Sequence, residues 1–464
     1  MADTIKSIKP AGGGDYSSLE AWEAGQQKSI AVGDREIGEF YAGADNTSGN
    51  PTINGWTIPS GAQLILRTPT AERHTLKRGT GYRLVSSGAF FALNIAQDYV
   101  TVDGLAFRHT NTSTGGGGES IRANTVQALR FLNCFVESDL PDGATFNCNV
   151  SDIANRDAVV ANCVFIKNNA SATVQTVILG GDHKFYNNVA INLAGQPALY
   201  SQNVANNNQR VKNCYLHSTG ANVYGFGFDS ATFTTCKHST SQALTGSTGS
   251  VAYSTAQFTN VSAGTEDFNL VGGSALLDAG TDLSADANYA FSTDYTGATR
   301  SGTWDIGPAE LLNVIAMVAP GNILRAGRAS PNFSVTASGS ISGTLTVTPS
   351  DGGAGGSFTP SSLGLTSGSP SGTFTYTPGA GGAVTISVTN SGGFTNPSSV
   401  GYSALAAGAA RNPGNIFRER SITVAAFRFP ASDPMRAIAT ARIFDAVVSG
   451  AAPLPDALFF GQPF

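Results

Sequence analysis

Short runs of alternating apolar and polar residues recur through the first two thirds of the chain. Two examples are Ala92-Leu93-Asn94-Ile95 and Tyr99-Val100-Thr101-Val102. Alternation over about four to eight residues is typical of β-strands with one buried face. Polar turns separate the runs, so this part of the chain is predicted to be all-β.

The turns contain an internal repeat. Asp, Asn or Thr recurs at positions 103, 133, 162, 187, 213 and 235, in steps of 22 to 30 residues. A variable period of this length with short strands predicts a solenoid. Leucine-rich repeats have a similar period, but their Leu-x-x-Leu-x-Leu frame is absent. Two or three strands per turn are expected instead, which is a parallel β-helix.

Stacking places equivalent residues of neighbouring coils about 4.8 Å apart, so that like residues form ladders. We expect an internal asparagine ladder at one turn, each amide bonding to the next, with small cysteine side chains stacked beside it. The ladder residues are Asn133, Asn162, Asn187 and Asn213, with Cys134, Cys163 and Cys214. Core packing is the expected role of these thiols, because buried Cys is seldom reactive.

Both ends of a solenoid need a cover, because unpaired strand edges aggregate. Residues 15–23 predict a capped amphipathic helix with Leu19 and Trp22 on one face, which plugs the first coil. The other end is expected at Asp267-Phe268-Asn269-Leu270, followed by residues 274–280, Arg300 and residues 304–310.

These patterns resemble the right-handed parallel β-helix repeat proteins of bacteria and bacteriophages. The resemblance rests on the Gly-Gly-Asp-Tyr start of the helix, the Val-Thr-Val-Asp-Gly-Leu-Ala-Phe coil and the closing "DFNL…GSALLDAG…DIGPAE" pattern. It covers about residues 1–311 and implies a right-handed parallel β-helix with an N-terminal capping helix.

The composition changes after a short apolar stretch. We interpret residues 312–328 as a linker, and residues 329–410 as a small antiparallel sandwich, because short alternating strands there are separated by Gly, Ser and Pro. Asp351 is the single charged residue from 329 to 410. The stretch resembles the immunoglobulin-like modules of phage and bacterial surface proteins. A disordered linker is the alternative, because Gly and Ser are dense.

The last segment, residues 411–464, is rich in Arg and Phe and contains no Lys. Arg with exposed aromatic residues is typical of protein–protein contacts. We interpret this segment as a docking or oligomerisation element, with packing onto the sandwich as the alternative. The predicted virion-docking residues are Arg418, Arg420, Phe427, Arg428, Phe429, Phe459 and Phe460.

The overall composition narrows the class of protein. Charged residues make up 13% of the 464 residues, against about 25% in typical globular proteins. The hydrophobic fraction of 41% still indicates a folded chain. A net charge of −5 argues against nucleic-acid binding, and no apolar run has the length of a signal peptide or a membrane span. Five cysteines without a CxxC motif indicate reduced thiols and no metal site or cofactor.

Polysaccharide hydrolysis needs two nearby carboxylates, and lyases need a carboxylate-bound cation and a base. The adjacent Asp pair, Gly-His-Gly and Arg-x-Lys of polygalacturonase-like hydrolases are absent. The weak catalytic candidates are Glu137, Asp139, Asp182 and His183, which follow comparable coil positions. Solvated turn residues explain them equally well, so the residues favour a protein that is not an enzyme.

The sequence therefore predicts a bacteriophage virion structural protein, assembled in the host cytoplasm and exposed on the particle as a capsid decoration, head fibre or tail appendage. Its partners are expected to be other virion proteins, further copies in a homotrimer and a host surface glycan. Neither nucleic acid nor a membrane is expected as a partner. A tailspike-type polysaccharide depolymerase is the alternative, and a bacterial surface adhesin is a third.

Overall fold

The computed structural model describes residues 2–407 with short gaps. The gaps are residues 114–117, 124–125, 149–156, 170–172, 181, 202–208, 226–231, 241, 244–245, 312, 322–323, 340, 342 and 393. The predicted docking residues of the 411–464 segment therefore lie outside the described residues.

The first part of the protein is built from three parallel sheets, which the chain visits in the same order in each coil from Arg35 to Ser201. The described strands of sheet 1 are Asp3–Ile8, Arg35–Phe40, Gln63–Arg67, Val100–Asp103, Arg130–Leu132, Ala158–Ala161, His183–Tyr186, Arg210–Lys212 and Thr232–Thr234. Those of sheet 2 are Gly43–Thr47, Tyr82–Ser86, Ala106–His109, Phe135–Ser138, Val164–Lys167, Val189–Asn192, Tyr215–Ser218, Cys236–His238 and Ser247–Ser250. Those of sheet 3 are Thr52–Ile53, Leu93–Ile95, Ile121–Arg122, Phe146–Cys148, Val177–Leu179 and Leu199–Ser201. This all-β arrangement is compatible with a parallel β-helix.

Aromatic side chains of sheets 1 and 2 meet in rows inside the coils. Phe165 of sheet 2 lies between Phe131 and Phe185 of sheet 1, with ring centroids 6.2 Å and 6.0 Å away. All three rings are fully buried. A buried aromatic side chain removes a large apolar area from water, so these rows form the main core of the coils.

The helix Leu19–Gln26 overlaps the segment 15–23 in which the sequence predicts it, and it begins after Ser18. The Ser18 side chain accepts a hydrogen bond from Ala21 N, and Asp45 Oδ2 accepts one from Leu19 N at 2.8 Å. Leu19 and Trp22 are fully buried in the core of the coils. Because the helix N-terminus has free N–H groups, two side-chain acceptors fix its position over the first coil. A short 3₁₀ helix spans Thr70–Glu72.

Residues 254–311, which we call the strap, run back along the outside of the coils. The strap contains an antiparallel strand pair, Phe258–Asn260 with Asp267–Leu270. Phe268 packs against Phe135 of sheet 2 with ring centroids 6.0 Å apart. Trp304 packs with Val159, Ala161 and Tyr186 of sheet 1. The expectation that this segment closes the end of the solenoid is therefore wrong, because its apolar side chains cover the outer faces of sheets 1 and 2 over several coils.

The described residues from 314 to 404 form two antiparallel sheets around a second core. The strands of one sheet are Val314–Val318, Phe333–Ser338, Ser371–Thr377 and Ser357–Thr359, and those of the other are Leu363–Leu365, Leu345–Ser350, Gly382–Asn390 and Val400–Ala404. The segment 312–328, expected as a linker, thus contributes the strand Val314–Val318. That strand pairs with Phe333–Ser338 along all five of its residues. Its apolar residues therefore belong to the sheet.

Candidate functional site

A column of turns joins sheet 1 to sheet 2 in consecutive coils, and the first residue of each turn has a positive φ. These residues are Gly104 (83°), Asn133 (55°), Asn162 (55°), Asn187 (54°), Asn213 (53°) and Thr235 (52°). Gly and Asn adopt this left-handed conformation at the lowest cost. The backbone of the turn therefore explains the repeated Asn at this place.

Asp103 does not belong to this column, although the sequence repeat placed it there. It is the last residue of its strand and pairs in register with Leu132, so Gly104 takes the turn position. The sequence repeat therefore places the turn of this coil one residue too early. Asp resembles Asn chemically, but the turn requires a residue that adopts a positive φ, which is Gly104 in this coil. Asp103 still contacts the column, since its Oδ1 accepts a hydrogen bond from Asn133 Nδ2 at 2.6 Å.

The asparagine side chains bond one another in two places. Asn162 Nδ2 donates to Asn133 Oδ1 at 3.1 Å, and Asn213 Nδ2 donates to Asn187 Oδ1 at 3.3 Å. Among the described side chains, Asn162 and Asn187 share no such bond. The continuous ladder that we expected is therefore interrupted between these two coils.

Groups of the strap form hydrogen bonds with Asn162 and Asn187 where the ladder is interrupted. Arg300 Nη2 donates to Asn162 Oδ1 at 3.1 Å, and Asn187 Nδ2 donates to the main-chain oxygens of Asp305 and Gly307, each at 3.3 Å. The Asn column is thus a docking edge for the strap as well as a turn.

The second turn residues Cys134, Cys163 and Cys214 are fully buried. Cys134 N lies 3.3 Å from Cys163 Sγ. Asn188 takes the place between Cys163 and Cys214, and its Oδ1 accepts a hydrogen bond from Cys163 N at 2.8 Å. Burial raises the pKa of Cys163 and of Cys214. The protonated thiols pack as small apolar groups, because only a thiolate is strongly nucleophilic.

Glu137 lies on the outer face of sheet 2 beneath the strap. Its Oε2 is 2.5 Å from Arg78 Nε, and Arg78 Nη1 donates to Glu266 Oε2 of the strap at 3.1 Å. Glu137 is 4% exposed and Glu266 is fully buried. Burial raises the pKa of Glu137 to about 7, against the opposing effect of Arg78. Two carboxylates therefore share one guanidinium in a covered position.

Asp139 directly follows the same strand and faces the surface. Its Oδ2 lies 3.8 Å from Arg108 Nη2, and its Oδ1 accepts a hydrogen bond from Asn168 Nδ2 at 3.2 Å. The Asp139 side chain is 23% exposed, so it is the more accessible of the two candidate carboxylates on sheet 2.

Asp182 and His183 lie at the start of a strand of sheet 1. Asp182 pairs with Arg210 at 2.9 Å and with Lys184 at 3.4 Å. His183 is fully buried, and its Nε2 lies 3.1 Å from Cys148 Sγ. The structure therefore divides the four catalytic candidates between two sheets and buries His183 in the core.

A shallow groove of about 400 Å³ opens on sheet 2 in the first coils. Its lining residues are Asn46, Thr47, Ser48, Val85, Ser87 and Thr110. Arg108 is the register partner of Val85 in the next coil, and its side chain is 43% exposed. The groove thus presents uncharged hydrogen-bonding groups next to one accessible cation.

The strap contains a second buried arginine. Arg300 is fully buried at its side chain, and its Nη1 donates to Glu310 Oε2 at 2.9 Å. The Asp305 carboxylate accepts hydrogen bonds from Asp278 N at 2.8 Å and Leu311 N at 2.6 Å. Burial raises the pKa of Asp305 to about 7. In the sequence, Arg300 stands out only as part of the closing pattern, and no local motif marks Arg78 or Glu266.

Together these features define an all-β protein with long parallel sheets, a covering strap and a polar groove. No protein-family profile matches the chain, and no curated protein shows significant similarity to it. Within the described ranges, no three His, Cys, Asp or Glu side chains converge to hold a metal ion. No helix in that part of the chain is long and apolar enough to cross a membrane.

Proposed function

We propose that the protein is a bacteriophage virion structural protein exposed on the particle surface, as a capsid decoration, head fibre or tail appendage. In this proposal residues 1–311 form a right-handed parallel β-helix, residues 329–410 form an immunoglobulin-like sandwich, and residues 411–464 dock onto other virion proteins in a homotrimer. The parallel sheets and the sequence patterns named above support this reading.

The observation that carries the proposal is the way polar side chains are used on the coils. Glu137, Asp182 and His183 are held by Arg78, Arg210 and the buried core, as the distances above show. Polar groups that are fixed by one another contribute rigidity and specificity of packing. A stack fastened by a strap is suited to a stiff element outside a particle, where resistance to unfolding matters more than catalysis.

The groove on sheet 2 is the proposed place for a host surface glycan. Hydroxyl and amide side chains such as Ser87, Thr110 and Asn46 can donate to and accept from sugar hydroxyl groups. A volume of about 400 Å³ lies within the usual range for small-ligand sites. Ser87→Trp should fill the groove and abolish binding on a glycan array, while the matched variant Ser284→Trp on the exposed strap should bind as the wild type does.

Virion membership is tested by mass spectrometry of gradient-purified particles. Peptides of this chain should be present in a fixed ratio to the major capsid protein and should survive a high-salt wash. Their absence from particles, with the chain left in the soluble lysate, contradicts the proposal.

A polysaccharide depolymerase is the second candidate, because burial raises the pKa of Glu137 to about 7 and a general acid needs such a protonated carboxyl group. Glu137 is 4% exposed beneath the strap, so a substrate could reach it only if the strap moved. The assay is release of reducing ends or unsaturated products from host capsule and lipopolysaccharide. We expect no turnover. Turnover that Glu137→Gln or Asp182→Asn abolishes would establish the enzyme instead.

A further inference from the structure

The strap is fastened to the coils at two buried arginine centres. At the first, Arg78 joins Glu137 of sheet 2 to Glu266 of the strap. The main chain supports the same junction, because Arg78 N donates to Glu266 O at 3.0 Å. This centre therefore ties the beginning of the strap to a fixed row of the solenoid.

At the second centre, Arg300 binds the coils and the end of the strap together. Its Nη2 donates to Asn162 Oδ1 and also to the main-chain oxygens of Gly307 and Pro308, each at 2.9 Å. Asp305 N donates to Glu310 Oε2 at 3.1 Å, so Glu310 contacts both Arg300 and Asp305.

Each centre contains one guanidinium for two carboxyl groups. Glu137 and Glu266 share Arg78, and Glu310 and Asp305 lie around Arg300. Asp294 and Asp278 lie close to the second centre and add negative charge. Uncompensated charge in a buried position is costly, so both centres carry an excess of acid when every carboxyl group is ionised.

We propose that the strap is a pH-sensitive latch, held closed in mildly acidic solution and loosened as the pH rises through neutrality by ionisation of the buried Glu137 and Asp305 carboxyl groups. The charged and titratable groups that face Glu137 are Arg78, Arg108, Glu266 and Asp139, with Tyr253 beside Glu266. Those that face Asp305 are Arg300, Glu310, Asp278 and Asp294.

The sign follows from the raised pKa of both groups, about 7 in the closed state. An opened strap returns each carboxyl group to water, where its pKa is near 4. Between these two values the closed state binds more protons than the open state, so it loses stability as the pH rises from 4 to 7 and changes little above pH 8. Between pH 6 and pH 9 the opening equilibrium should increase about tenfold for each group.

Opening of the strap uncovers the outer face of sheet 2. Phe135 and Tyr215 on that face pack against Phe268 and Phe258 of the strap. A rise in pH through neutrality would thus expose a row of aromatic side chains that is covered in mildly acidic solution.

Trypsin gives a direct readout, because Arg300 is the only Lys or Arg between residues 254 and 311. Cleavage after Arg300 requires the strap to open, whereas Arg328 is exposed and serves as the internal reference for the pH dependence of trypsin itself. The ratio of the two cleavage rates, measured by mass spectrometry on the full chain, should rise about a hundredfold from pH 6 to pH 9, which is about tenfold for each of the two groups.

The variant Glu137→Gln/Asp305→Asn keeps the shapes and removes the titration, so its ratio should stay low across the range. Each single variant should show an intermediate rise. Asp157→Asn, which removes an ion pair with Arg130 and Lys184 on sheet 1, should behave as the wild type. A wild-type ratio that stays constant from pH 6 to pH 9, or a rise that persists in the double variant, overturns the latch.

Discussion

Buried and exposed residues alternate along the antiparallel strands Phe333–Ser338 and Leu345–Ser350. The parallel strands Phe135–Ser138, Val164–Lys167 and Val189–Asn192 are instead buried at all four positions. The antiparallel sheets expose one face to water, while the strap covers the outer face of sheet 2. The difference shows that the parallel region carries two apolar interfaces, one inside the coils and one beneath the strap.

The burial of polar and charged side chains also differs between the parallel and the antiparallel regions. In the coils, a fully buried row at the end of sheet 2 includes His109, Ser138 and Lys167, and Lys167 Nζ donates to Gly143 O. Burial lowers the pKa of Lys167 to about 7. In the antiparallel region, Asp351 is the single charged residue from 329 to 410. The parallel region therefore depends on buried polar contacts, and its stability should respond more strongly to pH.

The largest expected effect comes from the aromatic rows. Phe165→Ala should lower the free energy of unfolding of the parallel region by about 3–5 kcal/mol, because it leaves a cavity between Phe131 and Phe185. Phe374→Ala is the matched variant in the antiparallel region, where the Phe374 ring stacks on Phe333 with ring centroids 4.9 Å apart. Hydrogen exchange should show that each variant weakens protection in its own sheets. Equal loss of protection throughout the chain in both variants contradicts two separate cores.

The turn column gives the next largest effect. Asn213→Ala should lower the free energy of unfolding by about 2–4 kcal/mol, since it loses a favoured left-handed residue and the hydrogen bonds to Thr281. Asn213→Gly restores the backbone conformation alone, so it should recover about 1–2 kcal/mol of that loss. Urea unfolding measures the stability of both variants. Identical losses in Asn213→Ala and Asn213→Gly would show that the conformation of the turn contributes nothing to the free energy of unfolding.

Acid should act on the parallel region through its histidines, which all lie between residues 74 and 238. Burial lowers the pKa of His74 to about 4. The neutral ring is favoured in the folded state, so its stability is present above pH 6.5 and is lost as the pH falls toward 4. This group should cost about 2 kcal/mol between pH 7 and pH 5.

His74→Gln isolates that contribution from the buried carboxyl groups, which titrate in the opposite sense. Thermal unfolding at both pH values should show that acidification from pH 7 to pH 5 is about 2 kcal/mol more favourable to the stability of the variant than to that of the wild type. If acidification changes the stability of both equally, the buried neutral state of His74 is excluded.

The smallest effect belongs to the antiparallel region. Burial acts to raise the pKa of Asp351, but hydrogen bonds from Gly356 N and Tyr376 Oη outweigh it and hold the pKa below its usual value. Asp351→Ala should cost about 1–2 kcal/mol, a loss confined to the antiparallel sheets by hydrogen exchange. The Asp351 contribution in the wild type should vanish only as the pH falls below about 4. A change in the hydrogen-exchange protection of residues 3–250 in Asp351→Ala would contradict this prediction.

The elements that the sequence predicts well are those with local causes. The Leu19–Trp22 spacing predicts the helix, and alternation predicts strands such as Leu345–Ser350, because both patterns act within a few residues. The Asn column was found from its spacing, although Asp103 was placed one residue out. The φ of a turn is a property of the backbone that residue similarity does not reveal.

The strap and its arginine centres could not be predicted in this way. Arg78 meets Glu266 across 188 residues, and Arg300 meets Asn162 across 138. Nothing local in the sequence marks such pairs, because they depend on where the chain returns along the coils. The same reason explains why Glu137 was grouped with Asp182 by coil position although they lie on different sheets.

The most direct test of the proposed function is electron microscopy of purified virions labelled with an antibody against residues 329–410. A protein exposed on the particle predicts label at a regular position on the head or tail of most particles, and loss of that label when the gene is deleted. Label that is absent from all particles, while the same antibody detects the chain in the lysate, would contradict the account.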